Sequence, residues 1–310
     1  MKFISRILVL LIAATAMTGC LASTKYDKAT GDIRFRPVIG IGTRSVDEFI
    51  PFPDDRKFNV FAISQETGER YLDDVAVSSR GKKGWYPENT PKWPVEESLR
   101  FIGYYPADLQ MTCSGDGTLK MSAAYTAGDT DVLVTDLTGA YTKNDSIVGL
   151  PFYHALAKID FRARHALNDG TRVKVEKIMI REAYTQGVFD SSADLRWNPA
   201  GEQTDITVYA ADGNDEGVEI FNLVPRYVGG SVFVLPQENS GSSIEVTYAF
   251  KTGESAWITG QTVSAPVTID AWGPDRHYTY TLSIFKDHTK ELTYTTGMSS
   301  WDDTLNEDEN

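Results

Sequence analysis

Segment 151–161, PFYHALAKIDF, contains three side chains whose types and spacing could do chemistry. His154, Lys158 and Asp160 could act as a general base, a cation and an orienting carboxylate in proton transfer. Strand geometry offers another interpretation, because side chains two positions apart on a strand share one face. His154 would then lie on the solvated face of a strand, where Lys158, Asp160 and Arg162 form a ladder of mixed charge worth roughly tenths of a kcal/mol per exposed pair.

We interpret this segment as an architectural strand at the start of a second domain, since no cleft and no partner for a base can be recognised around it. Replacement of His154 by alanine is therefore expected to leave folding and assembly nearly intact. No catalytic residue is predicted, and an enzyme has no supporting constellation elsewhere in the chain.

The composition and net charge of the chain limit the functions that can be expected of it. The chain of 310 residues has 30 basic and 43 acidic side chains and a net charge of −13, which would repel nucleic-acid phosphates. Nucleic acid is therefore not an expected partner. The length fits two medium-sized domains, and an aromatic content of 11% with abundant Thr and Val favours strands over helices.

Three segments show the alternation of apolar and polar residues that is typical of strands: KFNVFAIS (57–64), SIEVTYAF (243–250) and YTYTLSIF (278–285). Each is expected to have one core face. Clusters of Gly, Asn and Asp between such segments predict tight turns. The chain is therefore predicted to be all-β, with two tandem antiparallel β-sandwich domains and a boundary near residue 150.

The N-terminal stretch MKFISRILVLLIAATAMTGC has Lys2 and Arg6 ahead of a short apolar run, as in a secretory signal peptide. The run is too short to span a membrane. Its Gly-Cys ending resembles a bacterial lipobox, which would make residues 1–19 the signal peptide and Cys20 the lipidated first residue. The alternative is an ordinary signal segment with an unmodified cysteine. Only Cys113 then remains; we place it in a loop and expect neither a disulfide nor a nucleophile.

No metal and no cofactor are predicted. The four histidines, His154, His165, His277 and His288, lack the spacing of metal ligands. The acidic loop DGNDEG at 212–217 lacks the spacing of an EF-hand. Neither a phosphate-binding loop nor a nucleophile elbow is present in the sequence.

Several weak motifs occur together in a characteristic order behind the lipobox. They are IRFRPVIGIGTRS (33–45), WPVEESLRFIGYYP (93–106), TDVLVTD (130–136), VGLPFYHALAKIDF (148–161), VFVLPQE (232–238) and WGPDRHYTYTLSI (272–284). In this order the chain resembles the fimbrillin family of Bacteroidales lipoproteins, from the lipobox to the last strand.

The resemblance implies a structural subunit of a type V pilus. It implies two Greek-key, transthyretin-like β-sandwich domains, at 20–150 and 151–310, in a lipoprotein of the outer-membrane surface and the pilus. In polymerising members an arginine-specific protease removes an N-terminal strand, and a strand from the next subunit fills the groove by β-augmentation. The implied partners are other pilin subunits, the outer membrane through lipid on Cys20, and host surface proteins or glycans.

Residues 32–44 are the candidate for the removable strand, with apolar side chains at alternate positions from Ile33 to Ile41. Arg44 follows in a glycine-preceded loop and is the candidate cleavage site. Three nearby arginines are competing sites: Arg34, Arg36 and Arg56.

Residues 290–301 are the candidate donor strand, followed by an acidic, solvated tail at 302–310. The apolar face of this strand would consist of Leu292, Tyr294, Thr296 and Met298. As an alternative, Trp301 closes the sheet of the second domain, which would suit a tip or anchor subunit that donates no strand.

A non-polymerising surface lipoprotein that binds glycans is the alternative from another class. It would use exposed tryptophans, since aromatic rings stack on sugars; the candidates are Trp85, Trp93, Trp197, Trp257 and Trp272. Coplanar, exposed tryptophans would favour glycan binding, whereas a groove beneath residues 32–42 would favour the pilus subunit.

Overall fold

A computed structural model describes residues 31–40, 49–212, 216–286 and 291–301. Cys20, Arg44 and His288 lie outside these ranges, as do the signal segment and the acidic tail. The described chain is built of strands, and its one helical element is the 3-10 turn Gly81–Lys83. The predicted all-β class is confirmed. In these ranges no helix is long and apolar enough to cross a membrane.

The first half of the chain forms one large sheet and a small hairpin. Its strands are β1 (Phe35–Gly40), β2 (Phe49–Pro51), β3 (Lys57–Ser64), β4 (Arg70–Ser79), β5 (Trp85–Pro87), β6 (Leu99–Tyr105), β7 (Met111–Cys113), β8 (Leu119–Met121), β9 (Tyr125–Thr126), β10 (Leu133–Thr135) and β11 (Val148–His154). The sheet has the order β11-β10-β6-β3-β4-β5-β1-β2 and closes on itself because β1 also pairs with β11. That closing pair is parallel, whereas all other pairs in this sheet are antiparallel.

The second half forms two facing sheets and one short two-stranded ladder. Its strands are β12 (Ala157–His165), β13 (Thr171–Phe189), β14 (Trp197–Ala210), β15 (Val218–Ile220), β16 (Arg226–Tyr227), β17 (Val232–Val234), β18 (Gln237–Glu238), β19 (Ser243–Thr252), β20 (Ile258–Pro266), β21 (Ala271–Trp272), β22 (Arg276–Ile284) and β23 (Thr293–Ser300). One sheet has the order β16-β12-β22-β23, with β17 also on β12. The other has the order β14-β13-β19-β20, with β15 and β9 on β13.

Three hydrophobic cores hold these sheets together. One fills the closed sheet and is rich in phenylalanine, and a second lies between the two sheets of the second half. The third joins the halves, because it combines Phe61 and Tyr104 of the first half with Trp197, Leu235 and Trp301 of the second. Sequence patterning predicted one core for each half and missed this third core.

Alternation predicts the core face well where a strand has one buried side. In β19, Ile244, Val246 and Tyr248 are all fully buried on one face, as expected. The expectation of a single core face is wrong for β3. Phe58 of β3 enters the first core and Phe61 enters the third, because this strand lies between the two.

Segment 151–161 is not one strand. β11 ends at His154 in the closed sheet, and β12 begins at Ala157 in another sheet. His154, Lys158 and Asp160 are all at least 95% buried, so the predicted solvated ladder is wrong. The physical reason is tertiary: β12 is a central strand flanked by β17 and β22, and His154 lies in contact with Trp301.

Candidate functional site

Strand β1 carries the alternation expected of the removable segment. Ile33, two residues before the strand, and Phe35 and Ile39 within it are buried, while Arg36 is exposed. Phe35 packs edge-on against Phe101, with ring centroids 5.5 Å apart. The period of two therefore directs one row of side chains into the core, as predicted from sequence.

The closed sheet depends on β1 for its closure. Along one edge β1 pairs with β11 from Phe35 to Ile39. Its other edge pairs with β5 only at Phe35 and with β2 only from Val38 onward. Pro37, which has no amide hydrogen to donate, falls in the interval between these two partners. Without β1, both β11 and β5 would become unpaired edges.

The energetic contribution of this strand is large. Each fully buried large apolar side chain stabilises a fold by about 1.5–3 kcal/mol, so three such side chains contribute roughly 5–9 kcal/mol. A whole domain is stable by only about 5–15 kcal/mol. Loss of β1 therefore leaves an apolar groove that must be filled again. An open cavity of about 560 Å³ already lies beside the strand, between Pro37, Phe49 and Trp85.

The four candidate arginines have different surroundings. Gly40 pairs with Phe49, so Arg44 belongs to the connection 41–48 between β1 and β2, outside the described residues. Arg34 is buried and Arg36 lies within β1, and a paired strand resists proteolysis more than a loop does. Arg56 lies on a turn and is exposed.

The C-terminal strand β23 pairs along its whole length with β22, from Thr293 to Ser300. It is an edge strand of its sheet within the described chain. Of the predicted donor face, Leu292 is buried, Tyr294 and Thr296 are half-buried, and Met298 is 65% exposed. Tyr294 also donates a hydrogen bond to the carbonyl oxygen of Pro266 at 2.6 Å.

Trp301 ends the described chain in the third core and is only 1% exposed. Its indole stacks on the imidazole of His154, with centroids 3.9 Å apart and an interplanar angle of 3°. Phe233 packs against the same indole at 5.2 Å. Nδ1 of His154 lies 2.6 Å from a carboxylate oxygen of Asp131. The expectation that His154 is replaceable is therefore contradicted by its burial and its partners.

A second carboxylate, Asp275, lies beside this stack. Burial raises the pKa of Asp275 to about 6; the electrostatic interaction with His154 and a hydrogen bond from the backbone amide of His154 oppose this shift. Asp275 also has a positive φ of 58°, which asparagine and aspartate tolerate better than most residues. Sequence reasoning missed both Asp131 and Asp275, because neither is adjacent to His154 in the chain.

Lys158 and Asp160 belong to a separate buried network. Nε2 of His277 lies 2.7 Å from a carboxylate oxygen of Asp160. Burial alone would raise the pKa of Asp160, but hydrogen bonds from His277 and Ser231 outweigh burial and lower it, with help from the charge of Lys158. The network joins strands of a single sheet, so its ionised groups are paired within the fold.

Cys113 lies in strand β7 and not in the loop predicted for it. The residue is buried, and burial raises the pKa of its thiol to about 11. A thiol that remains protonated at neutral pH is a poor nucleophile.

The tryptophans proposed for glycan stacking do not form an exposed platform. Four of them are buried: Trp85, Trp93, Trp197 and Trp272. Trp257 is only partly exposed, and three cationic side chains, Arg172, Lys174 and Lys251, lie 4.6–5.7 Å from the centre of its ring. Over the ranges that the structure covers, no group of three His, Cys, Asp or Glu side chains could hold a metal ion.

A known protein family resembles this chain in sequence, and solved structures resemble it in fold. The model of the fimbrillin-like family matches residues 43–301. A fimbrial protein from Bacteroides vulgatus has a similar structure, with a TM-score of 0.64 at 14% identity, over 87% of this chain and 99% of that one. A candidate cell adhesion protein from Bacteroides uniformis aligns with a TM-score of 0.57 at 16% identity, over 88% and 99% of the two chains. No curated protein matches the sequence significantly. The chain therefore belongs to the fimbrillin-like family.

Proposed function

We propose that this chain is a structural subunit of a surface pilus that supports adhesion. It is exported as a lipoprotein acylated on Cys20, held at the outer membrane, and assembled by donor-strand exchange after cleavage at Arg44. The single observation that carries the proposal is strand β1, which alone closes the first sheet and leads directly into the connection that contains Arg44.

The groove left by β1 would select another strand. Its edges would be β11 and β5, and aromatic side chains such as Phe58, Phe101 and Phe152 would line its floor. A strand with apolar side chains at every second position fits such a groove, because main-chain hydrogen bonds supply affinity and alternate side chains fix the register. Leu292, Tyr294, Thr296 and Met298 of a neighbouring subunit have this spacing.

A second function, a non-donating anchor, is favoured by a different observation. To donate its strand, a subunit must break the pairing of β23 with β22 and expose Trp301 to water. In an anchor, both β1 and β23 would stay in place and the lipid on Cys20 would be retained.

Intact mass and N-terminal mapping of the protein from the surface of its own cells distinguish the two. A polymerising subunit should begin at Ser45, carry no lipid and form ladders that resist mild SDS. The Arg44→Ala variant should then keep its lipid and form no ladder, whereas the Arg56→Ala control should behave as wild type. A chain that begins at acylated Cys20 in all three proteins would refute cleavage and favour the anchor.

Met298 allows a test of the donor strand that spares the fold. It is 65% exposed in the subunit but would be buried in the groove of a neighbour. Met298→Asp should therefore leave the melting temperature unchanged and abolish SDS-resistant ladders. Ser299→Asp, on the opposite face of the same strand, is the matched control and should leave the ladders intact. Normal ladders from Met298→Asp would exclude this donor face.

A further inference from the structure

An exposed apolar surface lies at the end of the second half that is farthest from the connection between β11 and β12. We call it the Phe221 patch. It contains Phe221, Leu223 and Val224, which are 56%, 54% and 62% exposed, and it is extended by Leu167 and Tyr227. Single exposed apolar side chains are ordinary, but a contiguous group marks an interaction surface.

The fold presents this patch rigidly. The backbone amide of His165 donates to the carbonyl oxygen of Phe221, and the amide of Leu223 donates to the carbonyl oxygen of His165, both at 3.0 Å. The side chain of Asn222 bonds to His165 and to Asn168, also at 3.0 Å. Leu223 is held at a φ of +61°, a conformation unfavourable for leucine. The surrounding bonds maintain this conformation although it leaves an apolar side chain in water.

The charge at the edge of this patch is positive. Arg226 is exposed and its guanidinium lies 5.6 Å from the centre of the Phe221 ring. It donates to the carbonyl oxygen of Glu219, and within the described chain it forms no salt bridge. Aromatic and arginine side chains together are the composition typical of the central residues of protein interfaces. An acidic partner with an apolar centre would complement this surface.

Such a surface exists at the far end of the first half. We call it the Val95 patch. Val95 is 72% exposed; Tyr71 is 39% exposed and donates a hydrogen bond to the carbonyl oxygen of Lys92, three residues before Val95. Glu96 and Glu97 follow directly, and neither forms a salt bridge among the described residues.

Each patch lies at the strand ends that are remote from the junction of the two halves. Lys92 pairs with Asp32, just before β1, and β1 runs from there alongside β11 toward His154 and the connection. On the other side, β12 runs from the connection to His165, which contacts the Phe221 patch. Each patch is therefore a full strand length away from the junction of the two halves.

We propose that the Phe221 patch of one copy binds the Val95 patch of a second copy of this chain. The apolar centres would pack together, and Arg226 would face Glu96 and Glu97. Because the two surfaces differ, the contact is heterologous and can repeat in a line. The inference rests on the proposed pilus function, and it adds an end-to-end contact that orients neighbouring subunits for strand exchange.

The test uses the purified exported chain carrying Arg44→Ala, which cannot lose β1 and so cannot exchange strands. Sedimentation velocity at rising concentration should show reversible association that weakens at high salt. Arg226→Glu should weaken it by roughly tenfold or more, and so should the pair Glu96→Arg/Glu97→Arg. A mixture of these two defective proteins should associate again, and so should one chain carrying all three changes. Arg80→Glu, an equal charge change at an exposed site elsewhere, is the matched control.

Three outcomes would overturn the proposal: an Arg44→Ala chain with both patches intact that stays monomeric at the highest concentration, an added Arg226→Glu change that leaves its association unaltered, or charge-reversed proteins that fail to recover association. A monomeric chain would leave the Phe221 patch to a different acidic protein. Failure of strand exchange is measured separately, because it removes SDS-resistant ladders and leaves the salt-sensitive association of the patches unchanged.

Discussion

Replacement of Trp301 by alanine should destabilise the protein strongly, although this residue directly precedes the polar tail. The side chain is only 1% exposed, and it packs between His154 and Phe233. An aromatic side chain buries roughly 150–250 Å², which at about 25 cal/mol per Å² corresponds to about 4–6 kcal/mol. Alanine retains part of that burial, so we expect a loss of about 3–5 kcal/mol.

The measurement is urea unfolding followed by far-UV circular dichroism at neutral pH, combined with hydrogen exchange of residues 291–301. Trp301→Ala should lower the free energy of unfolding and speed exchange in β23, whose end loses its contact with the first half. Met298→Ala is the matched control, because Met298 lies on the same strand and is 65% exposed. Its effect should stay within about 0.5 kcal/mol.

A loss below about 1 kcal/mol for Trp301→Ala would refute the reasoning, since it would be closer to the effect of a surface substitution, about 0.5 kcal/mol, than to that of truncating a buried aromatic side chain. Faster exchange confined to β23, with an unchanged global free energy, would also refute it. In that case Trp301 would hold only the end of one strand and would contribute nothing to the core that joins the halves.

Three further predictions concern His154, Asp275 and Cys113. His154→Ala should cost about 2–4 kcal/mol in urea unfolding, since it leaves the Asp131 carboxylate without its partner; a double-mutant cycle with Trp301→Ala should give a coupling of about 0.5–1.5 kcal/mol, and zero coupling would exclude the stack. Because burial raises the pKa of Asp275 to about 6, its contribution to stability is complete below about pH 4 and is lost as pH rises through 6. Asp275→Asn should therefore raise the free energy of unfolding at about pH 8 by on the order of 2–3 kcal/mol and should have no benefit near pH 4; an equal benefit at both pH values would count against this origin. The thiol of Cys113, with its pKa raised to about 11, should react with iodoacetamide only after unfolding, and rapid labelling of the native protein would show that the site is open.

Local periodicity allowed much of the strand architecture to be predicted. The alternation from Ile33 to Ile39 specified which side of β1 is buried, and the same pattern placed Ile244 and Val246 in a core. These predictions succeed because successive side chains of a strand point to opposite faces, whatever its neighbours are. The order of motifs along the chain indicated a family that the match over residues 43–301 bears out.

Tertiary structure decided what each face contacts. The polar face of β12 looked solvated from sequence, yet Asp160 is buried with His277, which lies 117 residues further along the chain. His154 belongs to the first sheet and packs on Trp301 at the other end of the described chain. The predictions that His154 and the polar face of β12 are solvated failed for the same physical reason. A strand's own sequence determines which side chains share a face, but the pairing of distant strands determines whether that face meets water or another core.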